Sequence, residues 1–233
     1  MSEKINLGVI GAGPGGYAAA FLAADLGMSV TLIDKEKNPG GVCLYRGCIP
    51  SKALIHVAKL LNETEDAKNF GIEFSKPKIE IEKLREWKNG VVEKLTGGVG
   101  TVAKYRKVNF IQGKASFKNS TTLFVEKTDG SNKELSFDKI IIATGSRITT
   151  IPSLNIDSKR LLNSTTALDL PAIPKSLLVI GGGYIGLELG SVYQALGTKV
   201  SIVEMLDGLL PGADRDLVSH LSKRIKEKFE SIM

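Results

Sequence analysis

Apolar and small residues fall in the same order twice along the chain. INLGVI (residues 5–10) is an almost unbroken apolar run, the pattern of a strand covered on both faces, and GAGPGG (11–16) follows as a turn. YAAAFLAADLG (17–27) has the Ala/Leu content of a closely packed helix and stops at Gly27, and MSVTLID (28–34) is a second strand ending in an acid. SLLVI, GGGYIG, LELGSVYQALG and TKVSIVE repeat that series over 176–204. Two strand–glycine turn–helix–strand units predict an α/β protein with two Rossmann-like nucleotide-binding domains.

The sequence between the units is patterned differently. Residues 51–61 and 79–104 have helical spacing, whereas NFIQGKASF, TTLFVEK and ELSFD are short β-like runs around a TDGSN turn. A small antiparallel β insertion is expected at 108–138, with DKIIIATG returning the chain to the first sheet. Residues 146–175 read as loop, with Pro152, Pro171 and Pro174, so the domains are drawn as 1–146, containing a cysteine segment at 40–52, and 147–233. After Glu204 only a helix-like stretch, 214–233, is expected, with no strand to follow. The second domain is therefore expected to be incomplete.

Composition narrows the function classes. The 233 residues are 42% hydrophobic and 24% charged, with 25 glycines, above the usual share of about 7%, which excludes a disordered chain or a disulfide scaffold. The net charge of +6 is spread through interleaved Lys and Glu in 79–94 and 223–228, so no nucleic-acid footprint is expected. No apolar run reaches the roughly 20 residues of a membrane span, and the N-terminus lacks a signal-peptide pattern; a soluble, cytoplasmic protein is expected. In that compartment two cysteines five positions apart point to redox chemistry.

Gly11, Gly13 and Gly16 fit G-x-G-x-x-G, with Asp34 23 residues after the first glycine; Gly181, Gly183 and Gly186 fit it again, with Glu204 at the same interval. The glycines allow a tight turn and close approach of a pyrophosphate to a helix N-terminus, while the acid accepts hydrogen bonds from a ribose diol. A carboxylate at Glu204 repels a 2′-phosphate, so the second unit is expected to prefer NAD to NADP. Five residues of regular helix rise about 7.5 Å, beyond the usual disulfide Cα separation of about 6.8 Å, so Cys43 and Cys48 could bridge only across an irregular segment. Gly47 and Pro50 make one plausible, with regular helix from about Ser51. Two cysteines and two distant histidines are a poor zinc set, so no metal is expected. His56 reads as a structural histidine, His220 as solvent-facing and Trp87 as helix packing.

GAGPGGYAAA, GGVCLYRGCIPSKAL, IIATGS and GGGYIGLELG together resemble the flavoprotein disulfide reductases, the class I pyridine nucleotide-disulfide oxidoreductases, and among them the branch that oxidises protein-bound dihydrolipoamide. The resemblance spans essentially all 233 residues. It implies FAD in the first unit, held by Gly11, Gly13, Pro14, Gly15, Gly16, Asp34, Lys35, Gly41, Val42, Ala115 and Thr144–Gly145–Ser146, with the chain from Lys35 to Gly41 as the adjoining loop. It implies NAD in the second, held by Gly181, Gly183, Tyr184, Ile185, Gly186, Glu188 and Glu204. Cys43 is implied as the thiol that exchanges with lipoamide, Cys48 as the thiol against the flavin, Lys52 as the lysine near the flavin, and Glu188 as its ion-pair partner.

Implied partners are lipoyl domains of 2-oxoacid dehydrogenase or glycine cleavage complexes, and a second copy in a homodimer. Tyr45 and Arg46 depart from the Asn and Val usual there. The family's later acidic flavin-contacting motif and its C-terminal interface domain, with the His–Glu acid/base pair, have no counterpart in this sequence. Another NAD(P)H-linked flavin disulfide or metal-ion reductase, or a noncatalytic flavin-binding module, are the alternative readings.

Overall fold

In the computed structural model, residues 4–154 and 156–233 are described, and by packing they form two compact units. The first comprises residues up to Ile49 together with Gly90–Thr149; the second comprises Pro50–Asn89 and the chain from Thr150. The sequence reading had drawn one boundary near residue 147.

The first unit is built on a six-stranded sheet in the order β5-β4-β3-β2-β1-β6, from β1 (Asn6–Ile10), β2 (Ser29–Asp34), β3 (Asn109–Phe117), β4 (Thr122–Lys127), β5 (Asn132–Ser136) and β6 (Lys139–Ile142). β1 is parallel to both β2 and β6. The β-like runs form the expected antiparallel insertion, which is continuous with the first sheet. β3 runs parallel to β2 over Asn109–Gln112 and then antiparallel to β4 from Gly113, so one strand joins both parts. Gly113 sits at the change of partner, where a Cβ would lie 2.7 Å from the Glu126 carbonyl oxygen. Leu123 and Val125 of β4 close a small core with Ile10, Ile33 and Phe137. The larger core of this unit joins Leu7, Val9, Val30 and Leu32 to Ala20 and Ala23 of α1 (Pro14–Asp25), whose small side chains let the helix lie close to the sheet.

The second unit has a parallel sheet in the order β7-β8-β9, from β7 (Ser176–Ile180), β8 (Lys199–Val203) and β9 (Ser231–Ile232). β9 corrects the expectation that nothing follows the last helix. The helix α7 (Arg215–Lys228) ends where Phe229 turns extended and buries its ring, which brings Ser231 and Ile232 alongside Ser201 and Ile202. The apolar run of β7 is covered on one face only, and Leu178 and Ile180 are more than half exposed.

Residues 146–175, expected as loop, contain the helix α5 (Ser164–Leu168), started by a capping box between Asn163 and Thr166. Its C-terminal carbonyls are met from two neighbouring helices. Within α4 (Ile81–Tyr105), Lys88 Nζ donates to the Leu168 oxygen at 2.8 Å and Arg85 donates to the oxygens of Asp169 and Leu170. Burial lowers the affinity of Lys88 for its proton, with Asp169 opposing the shift. From α6 (Tyr184–Ala195), the fully buried Tyr193 hydroxyl donates to the Ala167 oxygen at 2.9 Å.

Burial pushes the Tyr193 phenol from its ordinary 10.0 up to about 12, with the Asp169 charge adding to the shift. The unfolded chain therefore releases this proton first, and stability falls as pH rises from about 10 to about 12. Tyr193→Phe is expected to cost about 1–2 kcal/mol at neutral pH and to remove this alkaline loss. Urea midpoints at about pH 8 and about pH 11 check both effects.

Candidate functional site

Each unit presents a glycine turn between its first strand and first helix. In the first, the Gly11 N–H donates to the Ile33 oxygen at 2.8 Å, and Gly11 takes φ +95, a conformation that favours glycine. Gly16 brings α1 against the turn so closely that a Cβ would lie 1.7 Å from the Gly11 oxygen. Asp34, at the end of β2, accepts the Ala12 N–H at 2.6 Å through Oδ2 and the Glu36 N–H at 2.9 Å through Oδ1. The carboxylate thus braces the turn while its remaining lone pairs can still accept from a diol.

The second unit repeats this construction bond for bond. The Gly181 N–H donates to the Val203 oxygen at 2.8 Å, and a Cβ on Gly186 would lie 2.4 Å from the Gly181 oxygen. Glu204 accepts the Gly182 N–H at 2.6 Å and the Leu206 N–H at 2.9 Å. Those bonds, the Leu206 one foremost, hold its carboxyl below the ordinary carboxylate range. The bracing is therefore present at neutral pH and is lost as acid protonates the carboxyl. A Cβ on Gly15 or on Gly183 would meet nothing within 4 Å. Open space beside the first turns of α1 and α6, with backbone N–H groups and the positive helix end directed toward it, fits a pyrophosphate at each turn.

The cysteine segment is two helices rather than one irregular stretch. Cys43 lies in α2 (Gly41–Arg46), Gly47 breaks the run, and Cys48 opens α3 (Cys48–Asp66), with Pro50 inside its first turn. α3 thus starts ahead of the expected Ser51, because proline is tolerated in a first turn where no intrahelical acceptor exists. Gly47 is packed tightly: a Cβ there would lie 3.1 Å from the Val42 oxygen and 3.4 Å from the Cys43 Cα. Cys43 is half-buried and Cys48 exposed.

α2 abuts the glycine turn. Gly41, at φ +58, approaches so near that a Cβ would stand 2.4 Å from the Gly13 Cα, and the Gly40 N–H donates to the Ala12 oxygen at 2.7 Å. Tyr17, in the first part of α1, has its phenol held above the ordinary value, by partial burial first and then by negative charge at Cys43 and Cys48. Sequence reasoning had not singled out Tyr17, although its position directly after the glycine motif was a usable signal.

The remaining assigned positions of the first unit lie around the same turn or on the adjoining strands. Pro14 and Gly15 are exposed at the start of α1, Lys35 is exposed after β2, and Val42 is exposed in α2. Thr144, Gly145 and Ser146 follow β6, where the Ala143 N–H donates to the Ile10 oxygen and the Ala143 carbonyl would meet a Cβ on Gly11 at 2.2 Å. Ala115 lies out on β3, paired with Val125.

In the second unit, Tyr184 and Ile185 are exposed at the start of α6, and Lys52 Nζ donates to Glu188 Oε1 at 2.6 Å. His56 is exposed, with its ring 6.5 Å from that of Trp87, which is itself 45% exposed. Trp87, expected as helix packing, stacks from α4 on a residue of α3, while Leu84 and Lys88 occupy the inward stripe of α4. Among the described residues no helix is long and apolar enough to cross a membrane, and no cluster of three or more His, Cys, Asp and Glu could hold a metal ion.

Known proteins share this arrangement. A dihydrolipoyl dehydrogenase of Haemophilus influenzae is 47% identical over the whole chain, which covers 49% of that protein; one of Geobacillus stearothermophilus is 46% identical over 94% of the chain, covering 46% of it. The crystal structure of LpdA from Mycobacterium tuberculosis superposes with a TM-score of 0.89 at 28% identity, over 98% of this chain and 51% of that one. The chain spans about half the length of the curated relatives it matches. The sequence profile of the pyridine nucleotide-disulphide oxidoreductases matches residues 6–230. By that match, and by the paired glycine turns it covers, the chain belongs to the pyridine nucleotide-disulphide oxidoreductase family.

Proposed function

We propose that the chain carries the FAD-binding, NAD-binding and thiol-exchange machinery of a dihydrolipoyl dehydrogenase, which oxidises protein-bound dihydrolipoamide to lipoamide and reduces NAD⁺. The observation that carries this reading is the seating of α2, which holds Cys43, on the first glycine turn, with Cys48 opening the next helix.

The residues act in sequence. One dihydrolipoamide thiolate attacks Cys43 of a Cys43–Cys48 disulfide, forming a mixed disulfide and releasing Cys48 as thiolate; the second substrate thiol then displaces Cys43, and lipoamide leaves. Cys48, the leaving sulfur of the first step, sits at the N-terminus of α3. FAD, when bound, links this two-electron thiol chemistry to hydride transfer.

Gly11, Gly13, Pro14, Gly15 and Gly16 would receive the flavin nucleotide's pyrophosphate and Asp34 its ribose, with Lys35, Gly41, Val42, Ala115 and Thr144–Gly145–Ser146 bordering it. Lys52, ion-paired with Glu188, would be the family's flavin-associated lysine, and Gly181, Gly183, Tyr184, Ile185, Gly186 and Glu204 would receive NAD. In the cell the partners would be lipoyl domains of 2-oxoacid dehydrogenase or glycine cleavage complexes in the cytoplasm, with the enzyme working as a homodimer.

Anaerobic addition of dihydrolipoamide to the FAD-loaded protein is expected to release one lipoamide per flavin as the Cys43–Cys48 disulfide is reduced, and a second as the flavin bleaches. Bleaching by a simple monothiol as readily as by dihydrolipoamide would contradict the dithiol mechanism. Glu204→Ala is expected to narrow the preference for NADH over NADPH about tenfold, read by titration calorimetry, because the carboxylate both accepts from the ribose diol and repels a 2′-phosphate.

A further inference from the structure

Two side chains between the cysteines, Tyr45 and Arg46, have no part in the chemistry above, yet both reach the same loop. α2 is only six residues long and is flanked by Gly40 and Gly47, so it cannot fix its own orientation. The Tyr45 hydroxyl donates to the Asn38 oxygen at 3.1 Å and accepts the Asn38 N–H at 3.2 Å. Arg46 Nη2 donates to Glu36 Oε1 at 2.5 Å, and its guanidinium lies 5.9 Å from the centre of the Tyr45 ring. Two residues of α2 thus grip two residues of the loop that follows Asp34.

That loop is itself fastened to the first glycine turn. The Glu36 N–H holds Asp34, Gln112 Nε2 donates to the Lys35 oxygen at 3.0 Å, Pro39 is fully buried, and the Gly40 N–H holds Ala12. Asn38 is backed by α4, where a Cβ on Gly100 would lie 2.9 Å from Asn38 Oδ1. Glu36 therefore holds the ribose-directed carboxylate with its backbone and the cysteine helix with its side chain. A change at either end must be felt at the other, and such coupling is reciprocal.

We propose that Tyr45 and Arg46 are positioning residues: they clamp the Cys43 helix to the loop at 35–39, so that filling the first nucleotide site shifts the dithiol–disulfide equilibrium of Cys43 and Cys48. This rests on the flavin and disulfide reading above. The equilibrium is read against glutathione: the two thiols give up two electrons and two protons to one oxidised glutathione, forming the intramolecular disulfide and two reduced glutathiones.

The experiment measures that equilibrium constant by thiol alkylation and intact mass, with and without saturating FAD. It compares the parent chain, Tyr45→Phe/Arg46→Met, and Glu36→Gln, which keeps the backbone bond to Asp34. In the parent, FAD is expected to move the constant about fivefold or more. In both variants the shift is expected to fall below about twofold, while FAD still binds. Arg46→Lys, which keeps one charged bond to Glu36, is expected to retain part of the shift. A variant shift equal to the parent's, or no shift in the parent despite bound FAD, overturns the clamp alone. Failure of FAD to bind, or absence of a Cys43–Cys48 disulfide under any glutathione poise, overturns both the clamp and the underlying reading. Should the double variant unfold, Glu36→Gln decides the matter, since it removes only the ion pair.

Discussion

Gly16→Ala is expected to abolish FAD binding and to destabilise the first unit by about 3 kcal/mol or more, because the added carbon meets backbone that cannot swing aside. The new Cβ would fall 1.7 Å from the Gly11 oxygen and 2.8 Å from the Gly11 carbonyl carbon, with Ala143 closing the other side. Relief requires α1 to lift from the turn that positions its N–H groups, so binding and stability fail together. Gly15→Ala separates the two effects. It meets nothing within 4 Å and lies in the first turn of α1, where alanine is the better helix former, so stability is expected to hold or to rise by up to about 1 kcal/mol. Its methyl group enters the open space beside the turn, and FAD affinity is expected to fall about tenfold or more. Urea denaturation together with flavin fluorescence titration reads both quantities on the same samples.

Cys43→Ser is expected to slow flavin bleaching by dihydrolipoamide at least about 10³-fold, since a hydroxyl neither forms the mixed disulfide nor leaves from one. FAD affinity should stay within a few-fold of the parent's, because Cys43 lies in α2 and forms no part of the glycine turn. Stopped-flow absorbance measures the rate, and a mixed disulfide trapped on Cys48 alone in the parent protein would reverse the roles given to the two sulfurs.

The parts of this molecule that were legible in the sequence are those where a local rule acts. The glycine turns were plain because a positive φ at Gly11 and Gly181, and close helix contact at Gly16 and Gly186, admit almost nothing else. The strands β1, β2, β7 and β8 were plain because each is a short apolar run ending at such a turn or at an acid. What was not legible depended on partners distant in the chain.

α5 is too short to show periodicity, and its C-terminus is completed by Arg85, Lys88 and Tyr193, residues that look like ordinary helix-surface or core positions when read alone. β9 is two residues long and exists only because Phe229 is drawn into the core. The continuous path of β3 from a parallel to an antiparallel neighbour left as its single local mark a glycine, Gly113, within a strand pattern. Of the site, the glycines and acids were readable from spacing, while the cysteine and Lys52–Glu188 roles came from resemblance to a family. The Tyr45–Asn38 and Arg46–Glu36 ties were readable from neither, because they join side chains to a loop whose course the sequence leaves open.

The most direct test is the visible spectrum of the FAD-loaded protein after reduction by two electrons. A thiolate lying against an oxidised flavin produces a long-wavelength charge-transfer absorbance, so the band is expected in the parent chain after two electrons have opened the Cys43–Cys48 disulfide, in Cys43→Ser before any reduction because its Cys48 is already a thiol, and in neither state of Cys48→Ser. A parent protein that binds FAD and accepts two electrons without developing the band, or a band that survives in Cys48→Ser, would contradict the placement of Cys48 beside the flavin.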